Sequence, residues 1–249
     1  VPALYRLGLD THPARRYPSH TMINESSATA ERMYEEAVVE LLGVLAYGEL
    51  TAFERMAADA ALAPGIQVQA SLAGLAALQY DHFVVLRDRL TQMGADPATA
   101  MTPFRPAIDA FHAQTRPHDW LEGLMKAYVG DGITADFYRE IAQHLDPRTK
   151  DLVIAVCDDL EAADFIVETV REAIAEDPRV AGRLALWGRR LVGEMIAQAQ
   201  LVAAEHDVLS MLVIGGVHRP GVDLAELGQM MSRLEANHAR RMAALSLAS

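Results

Sequence analysis

The chain has 249 residues, 51% of them hydrophobic and 22% charged, a composition too apolar for a chain that stays disordered. Its one cysteine, Cys157, excludes an internal disulfide framework and any multi-cysteine zinc or iron–sulfur site, and fits a reducing cytoplasm. A formal net charge of −12 disfavours a broad phosphate-binding face and leaves room for a small basic patch.

The N-terminal stretch carries no apolar signal-peptide core. Val1 stands where an initiator methionine is expected and Met22 heads the first helical pattern, so translation from Val1, read as an alternative start codon, and translation from near Met22 are both open. Residues 1–24 read as an extension and 25–249 as one domain. The longest apolar stretch, 208–217, is broken by Ser210 and two glycines. It falls short of the roughly 20 residues that span a bilayer, so no membrane partner is expected.

Beyond residue 25 good helix formers dominate, Val and Ile runs do not alternate with period two, and prolines sit between segments. The first predicted helix, 26–62, opens at Asn24-Glu-Ser-Ser, which supplies N-cap residues, and stops before Pro64-Gly65. It is apolar nearly all round from Val38 to Phe53 and needs cover on two sides, which the C-terminal helices can give. Glu49 follows Val38, Leu42 and Leu45 at inward spacing, and Glu54 lies about 140° round from it. A carboxylate buried here must meet a cation, a proton or a donor.

The second helix, 66–94, carries Leu72, Leu75, Gln79, His82, Leu86 and Leu90 on one stripe, so Gln79 and His82 point inward together. A hydrogen-bonded amide–imidazole pair in the core accounts for them as well as ligation does. Helices follow at 103–115 and 117–144. In the latter, Asp131 shares a face with Leu124, Tyr128, Ala135 and Tyr138 and is flanked by Gly130 and Gly132. Two interior glycines cost a helix about 1 kcal/mol each. Either a local bulge or close approach, or a break with a new helix at Ile133, answers to that pattern.

Asp146-Pro147 and Asp177-Pro178 place an Asp cap before a proline at the first helical position of segments 147–176 and 178–213. In 147–176 the stripe is Val153, Val156, Leu160, Ala163, Val167, Val170 and Ile174, with Asp164 at its edge and Asp159 and Glu161 further round. The last segment, 222–247, holds the chain's strict Glu-x-x-His, Glu235 to His238, beside Arg240 and Arg241. An i, i+3 pair of this kind can bind one metal, though the neighbouring arginines suit an ordinary surface face. Four long segments with short connections define an all-α antiparallel bundle.

A Glu on one helix and a Glu-x-x-His on the next, repeated once, is the di-iron carboxylate pattern of ferritin-like bundles. Phe53-Glu54-Arg55-Met56-Ala57-Ala58 resembles the Cys-Glu-Lys-Lys-Ala-Ala segment of the MiaE-type tRNA hydroxylases, and Gln79-Tyr-Asp-His82-Phe83 their Glu-Leu-Arg-His-Phe. Asp131-Gly-Ile-Thr-Ala-Asp136-Phe137 is similar to the third-helix Glu-Ala-Arg-Ser-Cys-Glu-Arg-Phe, and Glu161-Ala-Ala-Asp164-Phe165 to the final Glu-Ala-Arg-His-Phe. The resemblance covers about residues 30–176. The remainder is similar to an actinobacterial-style MiaE-like or ferritin-like branch.

The resemblance implies a ferritin-like four-helix bundle with additional C-terminal helices. It also implies a di-iron centre that uses dioxygen to hydroxylate an isopentenyl-type modified adenosine in tRNA. Carried over residue by residue, the metal set is Glu54, His82, Asp131, Glu161 and Asp164, with Gln79 as a weak sixth. Gln79 stands for a bridging Glu, Asp131 for a Glu and Asp164 for the second His. A neutral amide cannot supply the anionic bridge, and the shorter Asp reaches one methylene less. Such hard oxygen donors suit manganese, magnesium or one iron at least as well as a di-iron pair.

The expected function is thus a ferritin-like scaffold with a degenerate carboxylate/His site and reduced or no di-iron activity, holding iron, manganese or no metal. The alternative is a di-iron or Mn/Fe hydroxylase, with metal storage or peroxide protection a third option. Met211, Leu212, Met230 and Met231, expected at the surface near turns, suggest a homodimer. Any tRNA contact would rest on Arg183, Arg189 and Arg190.

Overall fold

The computed structural model describes residues 20–157, 160–214 and 224–247; of these, the side chains of 20–27, 160–163, 213–214 and 224 are not described. Among the described residues there is no strand, and no helix is long and apolar enough to cross a membrane. Helix α1 (His20–Ala60) runs through the expected cap at Asn24, because no proline interrupts the chain between Pro18 and Pro64. Helix α2 (Ile66–Gln92) returns alongside it. Gly94, at φ +79°, closes α2: its amide donates to the Thr91 carbonyl (3.0 Å) and the Ala95 amide to that of Leu90 (3.1 Å). That is a left-handed glycine C-cap, which a side chain would strain.

A short helix, α3 (Pro97–Met101), and a 3₁₀ turn (Thr102–Phe104) lead into α4 (Arg105–Gln114). Asp96 caps α3, accepting from the Thr99 amide at 2.8 Å. Helix α3 lies directly on Gly43, where a Cβ would run into the Ala100 carbonyl oxygen. The third rod is α5 (Trp120–Lys126), a π turn (Ala127–Asp131) and α6 (Gly132–Ala142). Asp131 and Gly132 keep right-handed helical angles (φ −61° and −62°), so Gly-Asp-Gly is a bulge in a continuous rod and not a break. The fourth rod comprises α7 (Pro147–Cys157) and α8 (Leu160–Glu176).

The segment expected as one helix over 178–213 is two, α9 (Arg179–Glu205) and α10 (Asp207–Ile214). His206 leaves the helical region (φ −125°, ψ 76°) and stacks on Phe104 with ring centroids 4.4 Å apart, which turns α10 across α1. Helix α10 covers α1, with Leu212 in the same core cluster as Leu41 and Leu42, and the Leu209 amide donates to Glu40 Oε2 at 3.1 Å. The all-round apolar face of α1 thereby gains its second cover. Helix α11 (Leu224–Ala244) packs on α6. The exposure expected of Leu212 and Met230 is corrected: both are buried, Met211 is half-buried, and Met231 is exposed. Periodicity shows each helix its apolar side but not which partner lies on it.

Two hydrophobic clusters fill the bundle. One joins Leu41–Ala46 of α1 to Phe83, Leu86 and Leu90 of α2, Ile141 of α6 and Val153 of α7. The other joins Met56 and Ala60 to Leu72 and Ala76, to Leu121, Leu124 and Met125, and to Ile166 and Val170 of α8. Between them each of the first three rods contributes a stretch with few buried apolar side chains: Tyr47–Phe53 on α1, Ala77–His82 on α2 and Gly130–Arg139 on the third rod. The clusters thus bracket a polar layer across the bundle.

Candidate functional site

Glu49 and His82 meet inside that layer, with the Glu49 carboxylate Oε2 3.5 Å from the His82 Nδ1 and each side chain 15% exposed. Gln79, one turn before His82, is buried as its spacing predicts. Tyr138 closes the layer from α6. Burial pushes its phenol well above the ordinary range, and the nearby Cys157 and Glu49 push in the same direction. This corner can hold a proton between a carboxylate and an imidazole and offers one oxygen and one nitrogen donor.

The carried-over acids are arranged differently. Glu54 is exposed, because five residues of helix turn it about 140° away from Glu49. The carboxylate that meets His82 is therefore Glu49, the one that the inward spacing picks out, and not the one that the resemblance picks out. Asp131 is exposed too. The π turn that ends on it adds a residue to one turn of the rod, which rotates the remainder of the rod by roughly 100°, and Asp136 becomes the buried acid instead. Asp164 is exposed, and the side chain of Glu161 lies outside the described residues. Of the expected set, the layer brings together Gln79 and His82. Among the described residues, no three His, Cys, Asp or Glu side chains stand close enough to hold one ion. A di-iron pair needs several converging carboxylates, and among the described residues the layer brings one, Glu49, to His82.

Sequence reasoning missed a second buried group of charges. Lys126, one of two lysines in the chain, is buried, donates to the Thr115 carbonyl (2.9 Å) and stands 5.2 Å from the Phe111 ring centroid. Burial holds its ammonium down to about 8, with Asp59 opposing and Arg55 adding to the effect. Burial raises the Asp59 carboxyl, and the charges of Lys126 and Arg55 offset part of that rise. His112 is held down to about 3, first by burial and then by Lys126 and Arg55. Its Nε2 lies 3.1 Å from Thr51 Oγ1, whose own proton goes to the Tyr47 carbonyl at 2.9 Å. His112 is therefore the neutral Nε2–H tautomer, donating to Thr51. A lysine set among Leu124, Met125 and Ala127 was the signal in the sequence.

The remaining motifs are accounted for locally. Glu235 is exposed while His238 is half-buried. Burial and then Arg241 hold the His238 imidazole below its ordinary range. Arg183 is engaged by Asp119 and Glu122, at 2.7 Å each, which takes it out of the expected basic patch; Arg189 and Arg190 are exposed.

Four antiparallel rods around a polar layer, with added helices over α1 and α6, define a ferritin-like helical bundle. The chain matches the family of actinomycete ferritin-like domains over residues 32–216 and belongs to that family. It is similar in structure to a Synechococcus protein, Protein 19, described as having aldehyde deformylating oxidase activity. The TM-score is 0.65 at 17% sequence identity, over 86% of this chain and 91% of that one. At that identity the likeness is one of fold. No curated protein matches the sequence.

Proposed function

We propose that this protein is a ferritin-like bundle whose di-iron layer has been reduced to a carboxylate–imidazole pair, and that it works as a scaffold with little or no di-iron activity. The observation that carries this reading is the make-up of the layer. Glu49 and His82 meet at 3.5 Å, an amide stands at Gln79, and Glu54, Asp131 and Asp164 face solvent. A di-iron pair needs anionic oxygens to offset about four positive charges at close range; Glu49 with a neutral amide does not supply them, and Asp136, the other buried acid of the layer, is held by Arg241 at 2.7 Å. The test is metal content. Protein purified without chelator and reconstituted with Fe(II) under anaerobic conditions is expected to retain well under two irons per chain. Two irons per chain, lost together in His82→Ala, would overturn the reading.

One observation favours a second reading, a metal-dependent hydroxylase of the MiaE kind. The Glu49–His82 pair offers the first two donors of a single-metal site, and the motif around His82 resembles that family. Iron or manganese held there would supply oxygen activation, while Glu49 and His82 would hold it and Tyr138 would limit water on the α6 side. One Fe(II) or Mn(II) per chain, together with oxygen consumption on a modified adenosine, would support this reading over the first.

A further inference from the structure

The Gly-Asp-Gly turn and the arginine pair near the C-terminus meet in one place, away from the Glu49–His82 pair. Arg241 of α11 lies across Gly132, where an added Cβ would come within 2.6 Å of its Cδ and 2.8 Å of its Nε. The bare glycine makes a seat for the guanidinium at the point where the π turn widens the rod. From that seat Arg241 Nη1 reaches Asp136 Oδ2 at 2.7 Å, in an ion pair whose side chains are 15% and 8% exposed. Arg139 approaches the other Asp136 oxygen at 3.4 Å. Beside the pair opens a cleft of about 370 Å³ lined by Tyr128, Asp136, Asn237, Arg240, Arg241 and Ala244. Arg240 donates to Asn237 at its rim.

The lining of this cleft carries two arginines against one carboxylate, while Asp131, beside Gly132, acts on Lys126. Among the described residues, Asp136 is the one carboxylate lining it, and Arg241 and Arg139 already meet that carboxylate. Arg240 adds a further positive charge at the rim. Asp164 and Arg171, which both act on Tyr128 from α8, oppose one another, and Glu140 is taken up by Arg233 at 2.7 Å. Arg241 Nε and Nη2 are buried with no hydrogen-bond partner among the described residues. Charged donors are costly to leave unmet, so such a group calls for an acceptor. A guanidinium fork matches the spacing of oxygens on phosphate and carboxylate, and a dianion in the cleft, met by the fork as it turns outward from its seat, would answer both the excess charge and the unmet donors.

We propose that this cleft is a binding site for a phosphate group. Arg241 and Arg240 would contact its oxygens, Tyr128 would flank it, and Asp136 would hold Arg241 in place. The phosphate belongs either to a small phosphorylated compound or to an RNA backbone, and both present the same chemistry to the cleft.

The test is calorimetric titration of the full chain with inorganic phosphate at constant ionic strength, with chloride as the control. Saturable binding is expected, weakened about tenfold in Arg240→Gln, the change that loss of one charge-assisted contact brings. Gly132→Ala keeps a helical backbone, favours the helix, and displaces the guanidinium from its seat, so it should weaken binding at least as much while the protein stays folded by circular dichroism. A nucleoside 5′-monophosphate that binds tighter than phosphate assigns the site to a small compound. A single-stranded RNA without a terminal phosphate that binds tighter, and is weakened by the same variants, assigns it to a backbone. Heats that do not distinguish phosphate from chloride, or affinity unchanged in both variants, would overturn the proposal.

Discussion

The carboxylate of Glu49 and the imidazole of His82 face each other at 3.5 Å across the α1–α2 seam, between the two hydrophobic clusters of the bundle. That relationship sets what the bundle interior can do. One carboxylate and one imidazole form a pair that can share a proton, and Gln79 beside them adds hydrogen bonding without charge.

Gln79→Glu restores an acid one turn from His82 and across from Glu49. Without metal the variant should unfold at a lower temperature than wild type, because two carboxylates brought together in a desolvated layer repel or must bind a proton. Fe(II) or Mn(II) should recover the loss, since a ligand that binds only the folded state adds about 2.7 kcal/mol at one hundred times its Kd. Thermal unfolding with and without metal reads the effect. A midpoint insensitive to metal would show that these side chains do not converge on an ion.

Lys126 makes stability depend on alkaline pH. Its folded pKa of about 8 lies below the ordinary 10.5, so between those values the unfolded chain binds more protons and stability rises with pH. The full gain is on the order of 3 kcal/mol, from the 1.36 kcal/mol that each pKa unit carries. Tyr47, Tyr128 and Tyr138, all raised by burial, work the other way above pH 10. The comparison therefore belongs between pH 7.5 and 9.5. Urea unfolding should show wild type gaining stability across that window and Lys126→Met staying flat. Parallel slopes would refute the assignment.

His112 governs the acid side. Its pKa falls from 6.5 to about 3, so protonation favours the unfolded chain, and stability drops as pH falls from 6.5 toward 3. His112→Gln keeps a donor for Thr51 and removes the titration. The difference in unfolding free energy between the two proteins should shift by roughly 3 kcal/mol between pH 7 and 4, a figure set by the size of the pKa change. An unchanged difference would mean that His112 is solvated.

Two glycines of α1 should respond with opposite signs to the same substitution. Gly43→Ala drives a methyl into the Ala100 carbonyl and should destabilise by about 1–3 kcal/mol, as overpacking against backbone does. Gly48 has nothing within 4 Å of an added Cβ, so Gly48→Ala should stabilise by about 0.5–1 kcal/mol through helix propensity. Chemical denaturation of both variants decides. Equal effects would show that α3 does not lean on α1.

Which residues form helices, and which side of each helix is apolar, can be read in the sequence, because 3.6-residue periodicity, proline joints and Asp caps are local properties of the chain. The inward spacing of Glu49, Gln79 and His82 is legible for the same reason. Motif likeness pairs His82 with Glu54, whereas that spacing points to Glu49, the residue His82 meets. Tertiary structure alone decided the rest. The π turn rephased the third rod and exchanged Asp131 for Asp136 as its buried acid, and the stack of His206 on Phe104 split one helix into α9 and α10. The fit of Arg241 over Gly132 joins residues more than a hundred positions apart. Each of these outcomes depends on which surface packs against which, and such non-local contacts leave no period in the chain from which to read them.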